Sequence, residues 1–80
     1  MDEQLLQRIE VDPKVMAGKP VIRGTRVPVE LILRMLSQGT PETIILGEYQ
    51  RLQPEDIRAA LAYAARALAH EDVFPLMAPA

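Results

Sequence analysis

The chain contains no cysteine, which removes disulfide staples, thiolate nucleophiles and cysteine-rich zinc sites together and suits a reducing compartment. Stability must therefore come from packing. Histidine and serine each occur once, as His70 and Ser37. A metal site would have to be assembled from carboxylates alone, and neither an Asp-x-Asp spacing nor an EF-hand loop is present. Ser37 has none of the flanking glycines of a nucleophile elbow. The acidic pairs Glu55-Asp56 and Glu71-Asp72 are adjacent in sequence, so their carboxylates splay around a helix instead of converging. His70, near the end of a helical pattern, reads as a cap or surface residue that favours the helix dipole when protonated. These absences point away from an enzyme, and no cofactor is expected. Apolar runs are only a few residues long, and MDEQLL carries acids where a signal peptide would carry cations. The expected location is the cytoplasm, with no membrane span.

What the chain does have is the composition of one small globular domain: 80 residues, 49% hydrophobic and 25% charged. So short a chain buries only a little over half of its unfolded surface and has no material for a second core. The net charge of −2 argues against a surface that binds nucleic acid indiscriminately, since such affinity comes from many cations neutralising phosphates. Charge is unevenly placed, however. Between Pro13 and Val29 lie Lys14, Lys19, Arg23 and Arg26 and no acid, so an anionic partner should meet this segment first. The plainer alternative is that these cations pair with acids of the later helices.

The pattern divides the single domain, residues 1–80, into a β-ribbon with a basic loop (8–27), a three-helix bundle (28–70) and an apolar tail (71–80). Residues 1–8 are polar apart from Leu5 and Leu6, too short a pattern to define a helix. Arg8-Ile9-Glu10-Val11 alternates charged and apolar, as a half-buried strand does, and Val21-Ile22-Arg23 is its antiparallel partner. A ribbon of this size is marginal in water. Covering it with a helix face or a second copy would stabilise it, and completion across a two-fold axis would make Val21 and Ile22 dimer residues. Lys14 to Ala17 is expected to form a turn of helix, and Gly24 a sharp turn with positive φ.

Pro28 is placed at the first position of helix one, with Glu30 reaching back to the Val27 N–H as half of a capping box. Val29, Ile32, Leu33 and Leu36 form its apolar side, and Glu30 and Arg34 pair four residues apart. Gly39 suits a left-handed cap, Thr40 an N-cap and Pro41 the first position of helix two, which runs to about Tyr49. Pro54 opens a long helix three, with Glu55 and Asp56 in its first turn and Ile57, Leu61, Ala64 and Leu68 on its buried side. Its many alanines favour the helix and allow close approach of a neighbour. In the tail, Pro75 and Pro79 exclude a helix, and Phe74, Leu76 and Met77 are candidates to dock on the chain's own core or on a partner.

Three helices with a tight turn before a long third helix form the outline of a mainly α helix-turn-helix domain, in which the last helix would enter the DNA major groove. Arg51, Arg58 and Arg66 are the cations near or on that helix; as solvent-facing arginines they would need no further role. Carboxylates at its start repel phosphates, although they can accept from cytosine.

The run Asp12-Pro13, Gly18-Lys19-Pro20-Val21-Ile22-Arg23-Gly24-Thr25-Arg26-Val27-Pro28-Val29, Gly39-Thr40-Pro41-Glu42, Tyr49, Leu52, Glu55-Asp56-Ile57 and Ala59-Ala60-Leu61-Ala62-Tyr63-Ala64 resembles the prokaryotic domain-of-unknown-function family 433, over about residues 8 to 66. The resemblance implies a homeodomain-like three-helix fold behind a β-ribbon, dimers, and an antitoxin-like function similar to VapB-like antitoxins, which silence a PIN-like ribonuclease toxin and in many cases bind operator DNA. The expectation is therefore a non-enzymatic antitoxin, with a stand-alone DNA-binding regulator or a structural dimerisation module as alternatives. Folding accounts for Val21, Ile22, Gly24, Val27, Pro28 and Val29 in the central motif. Lys19, Arg23, Thr25 and Arg26, joined by Arg51, Arg58 and Arg66, are left as the candidate residues for binding a partner or nucleic acid.

Overall fold

The computed structural model describes residues 2–70; the expected tail contacts of Phe74, Leu76 and Met77 lie outside them. Within this span the chain runs α1 (Asp2–Leu6), β1 (Ile9–Glu10), a 3-10 turn (Met16–Gly18), β2 (Val21–Ile22), β3 (Val27–Pro28), α2 (Val29–Ser37), α3 (Glu42–Glu48) and α4 (Pro54–Ala69). It is mostly helical, with a small antiparallel sheet in the order β1-β2-β3.

The expected ribbon forms, with Ile9 opposite Ile22 and Glu10 opposite Val21. It also gains a strand. Val27 and Pro28 pair with Ile22 and Val21, and the ladder is extended by the Val29 N–H donating to the Pro20 carbonyl at 2.9 Å. This register aligns Ile9, Ile22 and Val27 across one face, as strand periodicity requires, and all three join the core with Val29, Ile32, Ile45, Leu52, Ile57, Ala59 and Ala60. Val21 and Ile22 are each only 1% exposed within a single chain. The cover that the ribbon needs comes from the chain's own third strand and helices.

Local chemistry corrects several boundaries. Leu5 and Leu6 do seed a helix, because α1 packs along α4 and Leu5 lies against the core; tertiary contact supplies what a five-residue pattern could not show. Pro28 is the N-cap of α2, not its first residue, and is extended at φ −67°, ψ 141°. The Val27 N–H donates to the Thr25 hydroxyl oxygen at 3.0 Å, so Glu30 forms no capping box and instead meets Arg34 and Lys19. Pro41 likewise precedes α3 as its N-cap and displaces Thr40 from that role.

On α4 the buried apolar residues are Ile57, Ala59 and Ala60. Leu61 and Leu68 are 47% and 57% exposed, contrary to their expected burial. The close approach that alanine permits brings the core to Ala59 and Ala60, and this rotates the Leu61–Leu68 side outward.

Gly24 and Gly39 adopt the expected positive φ, at 81° and 83°. The turn of helix expected over Lys14 to Ala17 is present as the 3-10 turn at Met16–Gly18, whose residues have positive φ of 52°, 56° and 83°. Arg26 is left-handed as well, at φ 60°, a conformation that costs an L-residue about 1–2 kcal/mol. Glycine would relieve that strain but bring back chain entropy in the unfolded state. Arg26→Gly is therefore expected to raise stability by about 0.5 kcal/mol, read as a higher urea midpoint, and Arg26→Val to lower it, because β-branched side chains tolerate this region least.

Candidate functional site: a basic cleft at the ribbon turn

The turn joining β2 to β3 is built by its own side chains. The Thr25 N–H donates to the Ile22 carbonyl at 3.1 Å, and Gly24 supplies the positive φ that the third position of a type II turn needs. The Thr25 hydroxyl donates to the same carbonyl at 2.8 Å while accepting from Val27. Thr25 is thus explained by folding. Arg23 is in part explained the same way: its Nε donates to the Gln7 carbonyl at 2.9 Å and its Nη2 to the Ile9 carbonyl at 3.3 Å. It ties the α1–β1 corner to the turn.

Around this turn the fold gathers cations from distant parts of the chain. Arg8, Arg23 and Arg51 line an open polar cleft of about 420 Å³, with Gln4, Gln7 and Gln53 among its other walls. Arg51 also borders an adjoining hollow that contains Arg26 and Gly24 and has the carboxylate of Glu10 in its wall, and its Nη1 lies 3.5 Å from the Gly24 carbonyl, at the edge of hydrogen-bonding range. The one carboxylate in the cleft wall is Asp56, which is 4% exposed. Its Oδ1 accepts from Arg8 Nη1 at 3.0 Å and its Oδ2 from the Gln53 N–H at 2.9 Å. Both oxygens are therefore committed. Guanidinium groups outnumber the carboxylate, so the cleft is electropositive although the whole chain is acidic. Arg26 makes no side-chain hydrogen bond or ion pair among the described residues. An arginine held in a strained conformation with an unengaged head group is the kind of outlier from which a binding role is inferred.

The candidates from the sequence divide accordingly. Arg23, Thr25, Arg26 and Arg51 come together. Lys19 does not join them: its Nζ lies 3.7 Å from Glu30 Oε1, an exposed pair worth little and the plainer reading of that cation. Arg58 is exposed on α4, away from the cleft walls. Arg66 borders a different, apolar groove near the end of α4. Arg8 was missed. In sequence it was the outward residue of an alternating strand; the signal that could have found it is Asp56 three residues after Gln53, an acid fixed at a helix start and in need of a cation.

Among the described residues no three His, Asp or Glu side chains are grouped to hold a metal ion, and no helix is long and apolar enough to cross a membrane.

A ribbon of short strands packed on helices, with a basic cleft at its turn, defines a small domain type before any relative is considered. Residues 9–64 match the family of proteins of unknown function DUF433, and the chain belongs to that family. It is 57% identical over 30 residues to an uncharacterized protein of Archaeoglobus fulgidus, covering 38% of this chain and 83% of the relative. It is 38% identical over 52 residues to the uncharacterized protein y4eO of Sinorhizobium fredii, covering 65% of this chain but only 24% of that protein. In structure it is similar to a DUF433 member from Anabaena variabilis solved as a crystal structure, with a TM-score of 0.72 and 35% identity over 84% of this chain and 67% of the other.

Proposed function

We propose that the chain is a non-enzymatic, antitoxin-like binding module whose cleft of Arg8, Arg23 and Arg51, with Arg26 in the adjoining hollow, receives an anionic surface of a partner protein. The partner implied by the family resemblance is a PIN-like ribonuclease toxin, and the cytoplasm is the compartment where the pair would meet. The observation that carries this reading is the convergence on one turn of arginines from three separate parts of the chain, Arg8, the turn's own Arg23 and Arg26, and Arg51, with Arg26 held in a strained backbone and unengaged among the described residues. Structural need accounts for Arg23 and Arg8 in part. It does not account for Arg26.

Operator DNA is the second ligand in this proposal, with α2, α3 and α4 read as a homeodomain-like bundle. The face of α4 that would approach bases weakens it: Glu55 and Asp56 stand in the first turn, and Asp56 is bound to Arg8. Arg58 is the cation of α4 that supports it. Homodimerisation belongs to the same reading.

Co-expression with the product of the adjacent gene, followed by pull-down, is the direct test. A complex that survives purification and relieves growth inhibition is expected; absence of both would overturn the proposal. Within such a complex, Arg26→Ala combined with Arg51→Ala is expected to weaken binding about tenfold or more, chiefly by slowing association as charged rims do. In gel shifts the DNA reading requires preference for upstream over random duplex and affinity that falls steeply with salt.

A further inference from the structure

The arginines of the cleft are each held at one edge and open at the other. Arg23 directs Nε and Nη2 to the Gln7 and Ile9 carbonyls, and Arg8 directs Nη1 to Asp56 and Gln53. Arg51 reaches the Gly24 carbonyl with Nη1. The remaining amino groups, Nη1 of Arg23 and Nη2 of Arg8 and Arg51, make no hydrogen bond among the described residues, and all three side chains line the same cleft. A guanidinium fixed at one edge has already lost part of the rotamer freedom that binding would otherwise take from it. Such a set is pre-organised to donate to an oxyanion.

We infer that the cleft receives one phosphate monoester dianion displayed on the partner's surface, an inference that rests on the partner reading above. Charge selects the group. Three guanidiniums and the Asp56 carboxylate leave the cleft with two net positive charges, and the adjoining hollow adds Arg26 and Glu10, which cancel. A phosphate monoester carries about −1.5 to −2 at neutral pH and offers three terminal oxygens, one for each guanidinium. A carboxylate offers two oxygens and a single charge, and each phosphodiester of a nucleic-acid backbone also carries a single charge, so either would leave a cation unbalanced. Two partner carboxylates brought into one cleft would repel each other. The walls select the carrier. Gln4, Gln7 and Gln53 stand beside the charges and no aromatic ring does, so a nucleobase would find no stacking platform. Sites for free small molecules bury most of the ligand, which an open cleft does not do; a phosphorylated side chain presented by a larger surface needs no such enclosure.

The test titrates the full chain, observed through its arginine Nε–H signals, with a peptide blocked at both ends whose one charged residue is phosphoserine. Shifts at Arg8, Arg23 and Arg51 are expected, with affinity about tenfold above that of the same peptide carrying glutamate, and above that of inorganic phosphate, which has no chain to lie against the glutamine walls. From about pH 7.5 to about pH 5 the phosphopeptide affinity is expected to fall about tenfold, as the group takes up its second proton with a pKa of about 6. Sulfate stays a dianion over this range and reports any change in the acids of the site, Asp56 and the neighbouring Glu10. Arg51→Ala is expected to weaken phosphopeptide binding about tenfold, and it folds because Arg51 makes only the long contact with Gly24. Arg34→Ala removes the same charge from α2, outside the cleft walls, and leaves binding unchanged. Equal affinity for the glutamate peptide, or a phosphopeptide affinity that follows sulfate with pH, would overturn the inference; inorganic phosphate bound as tightly as the peptide would overturn the displayed carrier. Phosphopeptide binding without any complex on co-expression removes the partner reading alone. A complex that forms equally well after phosphatase treatment removes this inference alone.

Discussion

Asp56→Ala lowers folding stability by about 3 kcal/mol, the expected size for removing one partner of a buried, hydrogen-bonded charge together with a helix cap. Asp56 is 4% exposed and its carboxylate does two things at once: it accepts the Gln53 N–H at the start of α4 and the Arg8 guanidinium from the ribbon. Alanine leaves the amide without its partner and the arginine without its counter-charge. Arg8 is 36% exposed at its side chain, so water recovers part of the loss, which keeps the expectation at the lower end of the range for buried pairs. Asp56→Asn retains an acceptor for Gln53 and loses only the charge; its cost is expected to be about half as large. Equilibrium urea denaturation of both variants checks the order. A domain of this size has total stability of about 4–12 kcal/mol, so Asp56→Ala approaches the limit of a folded protein at the low end. If Asp56→Ala were no worse than a surface substitution, the tie between ribbon and α4 would be without energetic weight.

Ile57→Ala, one position further along, is expected to cost about 3–4 kcal/mol, while Leu61→Ala stays within about 0.5 kcal/mol. Both residues are large aliphatics on one helix, four positions apart, and a periodicity argument treats them alike. Ile57 is wholly buried and Leu61 is about half exposed. Truncating Ile57 leaves a cavity in the core that it shares with residues of the sheet and the other helices, which the rigid packing around it cannot fully close. Truncating Leu61 removes surface that water already reaches. Thermal or chemical melts of the two variants at matched concentration read the contrast directly. Equal losses would mean that the Leu61 side of α4 is buried against a second chain in solution.

The contrast at Ile57 and Leu61 also shows where sequence reasoning stops. Apolar spacing identified α2, α3 and α4 and the β1–β2 pairing, and glycine chemistry located the turns at Gly24 and Gly39. It could not choose between faces of α4, since alanine is neutral to burial and lets either side approach the core. The third strand was hidden because Val27-Pro28 looked like a helix start, and its pairing depends on Thr25 taking the Val27 N–H, a contact set by backbone geometry in the turn. Arg23, Thr25, Arg26 and Arg51 were legible as a set of candidates. Arg8 was not, since its partner lies 48 residues away and only the packing of α1 and β1 onto α4 brings them together.

The strand that ends in Pro28 has a further effect on how any partner can be met. Sheet edges recruit partners by donating backbone N–H groups to an incoming strand. Here the β3 edge is two residues long, includes a proline that has no N–H, and passes at once into α2. The other edge, β1, is equally short and runs into Asp12-Pro13. Neither border can template a cross-strand ladder. Recognition by this domain is consequently left to side chains, which makes it sensitive to single substitutions, and the same borders protect the chain from joining its copies edge to edge into fibrils.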